Sequence, residues 1–268
     1  MSSETPQMTS ETHGNVRAEP SAKRVRAFVD GEAVFDTIHP WLVWEGPRTP
    51  VYYVPAGDVR SDLLVPSDRV ERSPTRGTAR FWHLRVGERL AEDAVRQYPD
   101  SPLEPIRDLL RFEWSAMDAW YEEDEEIFTH PRDPHHRIDI LRSSRHVEVL
   151  VNGVTVADSR RPTLLFETGL PTRFYLPLED VRTALLRPSE KTTGCPYKGA
   201  ASYWSLEVDD ERFENLVWTY REPFRESAPI AGLAAFYNET VELRVDGVVQ
   251  ERPVTTFWRT NPHERLGS

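Results

Sequence analysis

From Val25 onward the chain alternates between apolar and polar positions. Val25, Ala27 and Val29 fall on one side of an extended segment, Asp30-Gly31 interrupts it, and Val34 resumes on the return. Alternation with period two on either side of Asp-Gly predicts a two-residue hairpin. Both central residues of a type I′ turn need positive φ, which Gly adopts freely and Asp or Asn tolerates. The signature returns as Val147, Val149, Val151, Asn152-Gly153, Val154 and Val156, and again as Val241, Leu243, Val245, Asp246-Gly247 and Val248. Three copies of one hairpin predict internal duplication.

An offset of 122 lays the first copy on the second without a gap from Val25/Val147 to Tyr98/Tyr220. Matched pairs include Pro40/Pro162, Glu45/Glu167, Tyr53/Tyr175, Asp58/Asp180, Pro66/Pro188, Gly77/Gly199 and Trp82/Trp204. Equal spacing across turns and strands requires equal topology, so the two repeats are expected to share one fold. Residues 41–44 and 164–166 are short apolar runs, 51–54 and 173–176 are aromatic-rich, and 79–86 and 201–208 alternate cleanly. Each repeat is therefore expected to be mainly β with short helices. One such helix is placed over 181–186, capped by Asp180 and stopped before Pro188, and 58–64 repeats it.

After Tyr98 and Tyr220 the copies are expected to differ. Ser115 and Asp118 have capping-box spacing, and Met117, Trp120 and Tyr121 share a helical face, which predicts one helix at the end of the first repeat. The expected divisions are a Ser/Thr/Glu/Pro-rich disordered tail over 1–23, a first repeat over 24–127, and a Pro/His/Arg linker over 128–145. A second repeat over 146–250 and a C-terminal tail over 251–268 complete the chain.

Composition narrows the function. The chain has 268 residues, a net charge of −11 and a pI near 5.3. That field argues against a nucleic-acid backbone or an anionic membrane surface as partner. One cysteine allows no internal disulfide, no run approaches the roughly 18 apolar residues of a membrane span, and no secretory signal pattern opens the chain, so a cytoplasmic location is expected. His130, His135 and His136 beside the acidic run 122–126 match no zinc-finger or zincin spacing and read as solvated linker. Neither a metal nor a cofactor is expected. Phosphate-loop, GxGxxG and nucleophile-elbow motifs are absent.

The segments Leu165-Phe166-Glu167-Thr168-Gly169, Tyr175-Leu176-Pro177, Glu179-Asp180-Val181, Cys195-Pro196-Tyr197-Lys198-Gly199-Ala200-Ala201-Ser202-Tyr203-Trp204 and Phe236-Tyr237 resemble the DUF427 family, here in tandem form. The resemblance implies compact β domains of the tent or small-barrel kind, and it implies no reaction. The first repeat departs from the pattern, with Ser73-Pro74-Thr75-Arg76-Gly77 in place of the cysteine loop. Cysteine chemistry is thus confined to the second repeat.

Three groups of side chains are candidates there. Cys195 reads either as a thiol activated by nearby Lys198 or as a small filler before a proline. Glu167, at the end of an apolar run, reads either as an inward-drawn general acid or base or as a structural carboxylate. Tyr175, Tyr203, Trp204 and Tyr220 read as a wall for a small-molecule ligand or as core. Tyr203 and Trp204 must face opposite sides of one strand. Two classes of function follow: a domain that binds, or binds and transforms, a small polar or anionic metabolite through Glu167, Cys195 and Lys198, and a non-catalytic interaction protein.

Overall fold

The computed structural model describes residues 11–47 and 49–255, and the chain divides between Asp133 and Pro134 into two compact units. In the first unit the strands are β1 (Glu11–His13), β2 (Val16–Pro20), β3 (Val25–Val29), β4 (Glu32–Thr37), β5 (Trp41–Trp44), β6 (Pro50–Pro55), β7 (Leu64–Ser73), β8 (Gly77–Val86), β9 (Arg89–Gln97), β10 (Leu109–Phe112), β11 (Ala119–Glu122) and β12 (Glu125–Ile127). They form an antiparallel sheet in the order β1-β2-β5-β6-β10-β9-β8-β7 and a smaller one in the order β12-β11-β3-β4.

The second unit carries β13 (Ile138–Arg142), β14 (Val147–Val151), β15 (Val154–Ser159), β16 (Thr163–Glu167), β17 (Arg173–Leu176), β18 (Leu186–Cys195), β19 (Gly199–Val208), β20 (Glu211–Tyr220), β21 (Ala234–Phe236), β22 (Glu242–Val245) and β23 (Val248–Val249). Its sheets run β13-β16-β17-β21-β20-β19-β18 and β15-β14-β22-β23. Strand for strand this is the first unit without β1. Neither large sheet closes on itself, so the barrel alternative does not hold.

The expected turns are present. Asp30, Asn152 and Asp246 have φ of 50°, 50° and 52°, each followed by a glycine with positive φ. Between the two sheets of the second unit lies a core of Val147, Val149, Val156, Leu176, Leu206, Val217, Phe236, Leu243 and Val245. On the other face of the large sheet a second cluster gathers Leu165, Tyr175, Ala201, Tyr203, Trp218, Tyr220, Ile230 and Ala235. The pleat produces this division, since Tyr175 and Leu176, or Trp218 and Val217, must point to opposite sides. The first unit repeats both clusters.

Four expectations are corrected. The tail expected to be disordered over 1–23 contains β1 and β2, whose Val16 and Ala18 are wholly buried; residues 1–10 lie outside the described residues. Likewise the linker over 128–145 contains β13, which pairs with β16 from Ile138↔Glu167 to Arg142↔Thr163. β2 and β13 are related by the same offset of 122, so both are opening strands of a repeat. The helix expected from Ser115 is one 3₁₀ turn, Trp114–Ala116, followed by β11, which pairs with β3. Trp120 on this strand packs into the core as Leu243 does on β22, so the copies do not diverge after Tyr98 but close with the same hairpin. Finally, Asp58 and Asp180 cap no helix. The chain there makes pairs of 3₁₀ turns, and the aspartates accept hydrogen bonds from Thr37 Oγ1 at 2.6 Å and Ser159 Oγ at 2.7 Å. No helix among the described residues is long and apolar enough to cross a membrane.

Because the closing strand completes the small sheet of each unit, it supports stability in both. Leu243→Ala is expected to cost about 2–5 kcal/mol and Trp120→Ala about 3–5 kcal/mol, each in its own unit. Urea unfolding of the intact protein measures this, and a midpoint unchanged in either variant would remove that strand from the core.

Candidate functional site

On the face of the second unit's large sheet turned away from the small one, the register sets four residues in a row. Tyr175 lies opposite Ala235, Ala235 opposite Trp218, and Trp218 opposite Tyr203. Ala235 is small, which leaves Trp218 and Tyr175 within reach of each other. Their rings meet edge to face at 6.3 Å and Trp218 Nε1 donates to Tyr175 Oη at 3.2 Å. Tyr220, two residues beyond Trp218, extends the same face.

The polar end of this wall is built from three segments. Glu167 is the last residue of β16, Lys198 lies in the turn joining β18 to β19, and His136 lies two residues before β13. Lys198 Nζ donates to Glu167 Oε2, and His136 Nε2 lies 3.0 Å from Glu167 Oε1. The His136 ring stacks on Tyr197 at 4.2 Å between centroids. Glu167 retains only 5 % of its side-chain exposure, Lys198 10 % and His136 17 %. A carboxylate so removed from water needs a cation and hydrogen-bond donors, and it has both.

Gly199 fixes the lysine. Its φ of +98° and the Glu222 carbonyl oxygen 3.3 Å from where a Cβ would stand make any other residue strained there, and Phe224 N donates to Lys198 O at 3.2 Å. Burial pushes the Tyr175 hydroxyl well above the ordinary tyrosine range. The Trp218 hydrogen bond opposes this, while the Glu167 carboxylate and Cys195 add to it. Burial also raises Tyr220, joined by Tyr175, Cys195, Tyr203 and Glu167. Both tyrosines are therefore neutral hydroxyls at physiological pH, able to donate a hydrogen bond and unable to act as bases.

Of the residues expected to converge, Glu167 and Lys198 meet directly, and Tyr175, Tyr203 and Tyr220 share one face. Cys195, at the end of β18, is half-buried and packs against that aromatic cluster. Trp204 does not belong. It faces the opposite side and packs into the core between the sheets, because Tyr203 takes the site side of β19. His136, read as solvated linker, is the member the sequence reading missed, although Ile138 and Ile140 alternate after it as Val16 and Ala18 do at the offset of 122. A groove of about 260 Å³ lies elsewhere. Its lining residues Leu164, Phe166 and Phe174 alternate with Leu165, Glu167 and Tyr175 and so point away from the site.

A buried ion pair borders this wall on the same face of the sheet. Arg173 Nη1 and Nη2 donate to Glu239 Oε2 and Oε1 at 2.7 and 2.6 Å, and the guanidinium lies 5.5 Å over the Trp218 ring. Burial alone would raise the Glu239 carboxyl, but the Arg173 fork outweighs it and holds the group below the ordinary carboxylate range. Separately, His146, Glu148 and Asp158 bring one donor atom each within 4.8 Å of one another on the small sheet, where a cation could be held. Arg244 is the cross-strand partner of Glu148 there.

A family model described as a domain of unknown function (DUF427) matches residues 17–123 and 139–251. The two stretches fall one in each unit and begin in β2 and β13. No curated protein matches the chain.

Two outcomes are expected. Lys198→Met leaves Glu167 buried without its cation and should cost about 3–5 kcal/mol, whereas Lys198→Met combined with Glu167→Gln should recover much of that loss. Chemical denaturation of the three proteins tests this, and a double variant no better than Lys198→Met would contradict it. The second concerns acid. A depressed folded pKa at Glu239 contributes stability above the unfolded value, and this is lost as pH falls through the lower folded value. The second unit should therefore weaken as pH drops below about 4.3, and Glu239→Gln should flatten that part of the profile. Unchanged slopes in a thermal-midpoint series from pH 6 to 3 would remove Glu239 as the cause.

Proposed function

The chain belongs to the DUF427 family of domains of unknown function, and from the geometry of its second repeat we propose that this repeat binds a small polar or anionic metabolite against Glu167, Lys198 and His136. One observation carries the reading. Both oxygens of a nearly buried carboxylate are held by titratable or cationic side chains beside a wall of neutral tyrosines. A few convergent polar groups on an apolar surface are the usual composition of a small-molecule site. Lys198 carries N–H donors beyond the one given to Glu167 and suits a carboxylate or phosphate on the ligand. His136 is the most exposed of the three, so a ligand meets it first.

In this reading a proton can pass between Glu167 and a bound substrate through His136, with the hydrogen bond already in place. Cys195 is the nucleophilic side chain beside the same wall, and Tyr175, Tyr203 and Tyr220 orient the ligand. We place the protein in the cytoplasm, on the strength of its single cysteine. A structural role is the second reading, favoured by one observation: the equivalent carboxylate of the first repeat, Glu45, is also ion-paired.

Thermal unfolding of the intact protein against a panel of small carboxylates, phosphates and amino acids separates the two. A ligand present at a hundred times its Kd adds about 2.7 kcal/mol. We expect at least one panel member to raise the midpoint and His136→Ala to abolish that rise. No stabilising compound, or a rise that survives both His136→Ala and Cys195→Ser, would leave the structural role.

A further inference from the structure

The first repeat replaces the site residues by a different chemistry. At the offset of 122, Arg76 stands for Lys198, Arg96 for Trp218, Gly14 for His136 and Thr75 for Tyr197. Arg111 takes the place opposite Tyr53 that Ala235 takes opposite Tyr175. The row across the sheet is therefore Tyr53, Arg111, Arg96, Phe81, with two guanidinium groups where the second repeat has an alanine and a tryptophan.

These arginines surround one carboxylate. Arg76 Nη1 is 2.7 Å and Arg96 Nη2 3.7 Å from Glu45 Oε2. Arg111 Nε is 3.4 Å from Glu45 Oε1, and Tyr53 Oη donates to the same oxygen at 2.6 Å. Glu113 is the other acid in reach, paired with Arg111 and 3.5 Å from Arg96. The remaining titratable group, Tyr98, lies under the Arg76 guanidinium at 5.3 Å. Three cations thus face two carboxylates, an excess of one positive charge in a chain whose net charge is −11.

Two further observations indicate an occupant. Arg96 Nε is buried and, among the described residues, finds no hydrogen-bond acceptor, and Arg111 Nε has only Glu45 Oε1 nearby, 3.4 Å away and out of hydrogen-bond geometry. A buried N–H without a partner is costly and rare in a folded protein. The carboxylate is also more open than its counterpart: Glu45 keeps 20 % of its side-chain exposure against 5 % for Glu167. The histidine and tyrosine that stack in the second repeat are reduced here to Gly14 and Thr75, which stand so close that a Cβ on Gly14 would lie 3.3 Å from Thr75 Cγ2.

We propose that this face of the first repeat binds a small oxyanion, a carboxylate or phosphate, in the forks of Arg76, Arg96 and Arg111. Planar guanidinium groups match the spacing of oxyanion oxygens and hold them with charge-assisted hydrogen bonds. Glu45 is the internal counter-ion. It keeps the three cations together when the site is empty and competes with the ligand when it is full.

Calorimetric titration of the intact protein with inorganic phosphate, and separately with succinate, tests the assignment and distinguishes the two kinds of oxyanion. Binding of at least one probe is expected, weakening as sodium chloride is raised. Arg96→Gln should weaken it about tenfold or more, the effect of losing one charge-assisted hydrogen bond. Glu45→Gln should tighten it, since a competing negative charge is gone. That second variant reports even if Arg96→Gln fails to fold, because a merely structural Glu45 predicts no gain in affinity. Absence of binding by both probes, or a Glu45→Gln protein that binds no more tightly than the parent, overturns the proposal.

Discussion

A carboxylate held out of water at the end of an interior strand is the constraint around which each repeat is arranged. Glu45 and Glu167 occupy the same position, at the end of the strand that pairs with the opening strand of the repeat. Neither could remain ionised there alone, because desolvation opposes the charge. At Glu45 that penalty is outweighed by Arg111, by the Tyr53 hydrogen bond and by Arg76 and Arg96, which together hold the carboxyl below its ordinary range. A cation must therefore arrive from elsewhere in the chain, and in both repeats the turn between β7 and β8, or between β18 and β19, delivers it, as Arg76 or Lys198. The glycine after each cation, Gly77 or Gly199, has positive φ and lets the turn pass close to another segment of backbone.

Below this level the two repeats are conserved in detail. Thr37 and Ser159 bind Asp58 and Asp180, and Ser67 and Ser189 bind Asp93 and Asn215. Asp93 and Asn215 have φ of 50° and 54° on strands that carry the same register shift. None of these contacts involves a residue of the rows Tyr53, Arg111, Arg96, Phe81 or Tyr175, Ala235, Trp218, Tyr203. The scaffold is thereby separated from the side chains that project from it, so the row opposite Tyr53 or Tyr175 can change from arginines to alanine and tryptophan without altering a turn or a register. Chemistry divergent on a duplicated frame needs this independence.

Much of the frame was legible in the sequence because its signals are local. Asn-Gly and Asp-Gly between alternating valines specify a turn through the conformations their own residues prefer. The first repeat's closing hairpin was not legible, since Glu123-Asp124 replaces Asp246-Gly247. Glu123 still adopts φ of 51°, which its residue type does not advertise. Met117, Trp120 and Tyr121 also sit at a spacing that a helix and a strand with its preceding turn both satisfy. β2 was hidden by composition, with only Val16 and Ala18 alternating amid serine, threonine, glutamate and proline.

The site was legible only in part, for a related reason. Glu167 and Lys198 stood out singly, one by its place after an apolar run and the other by the scarcity of lysine. Alternation required Tyr203 and Trp204 to part, but it could not assign the faces, because apolar clusters cover both sides of the sheet. His136 reaches Glu167 only because β13 pairs with β16, a contact between segments 31 residues apart that no local pattern encodes. The same pairing orders the opening strand and places the third group on the carboxylate, so the strand that looked like a linker both completes the large sheet and shapes the site. A change that loosened β13 would accordingly alter the environment of Glu167 before it touched the core between the sheets, whose residues are drawn from other strands.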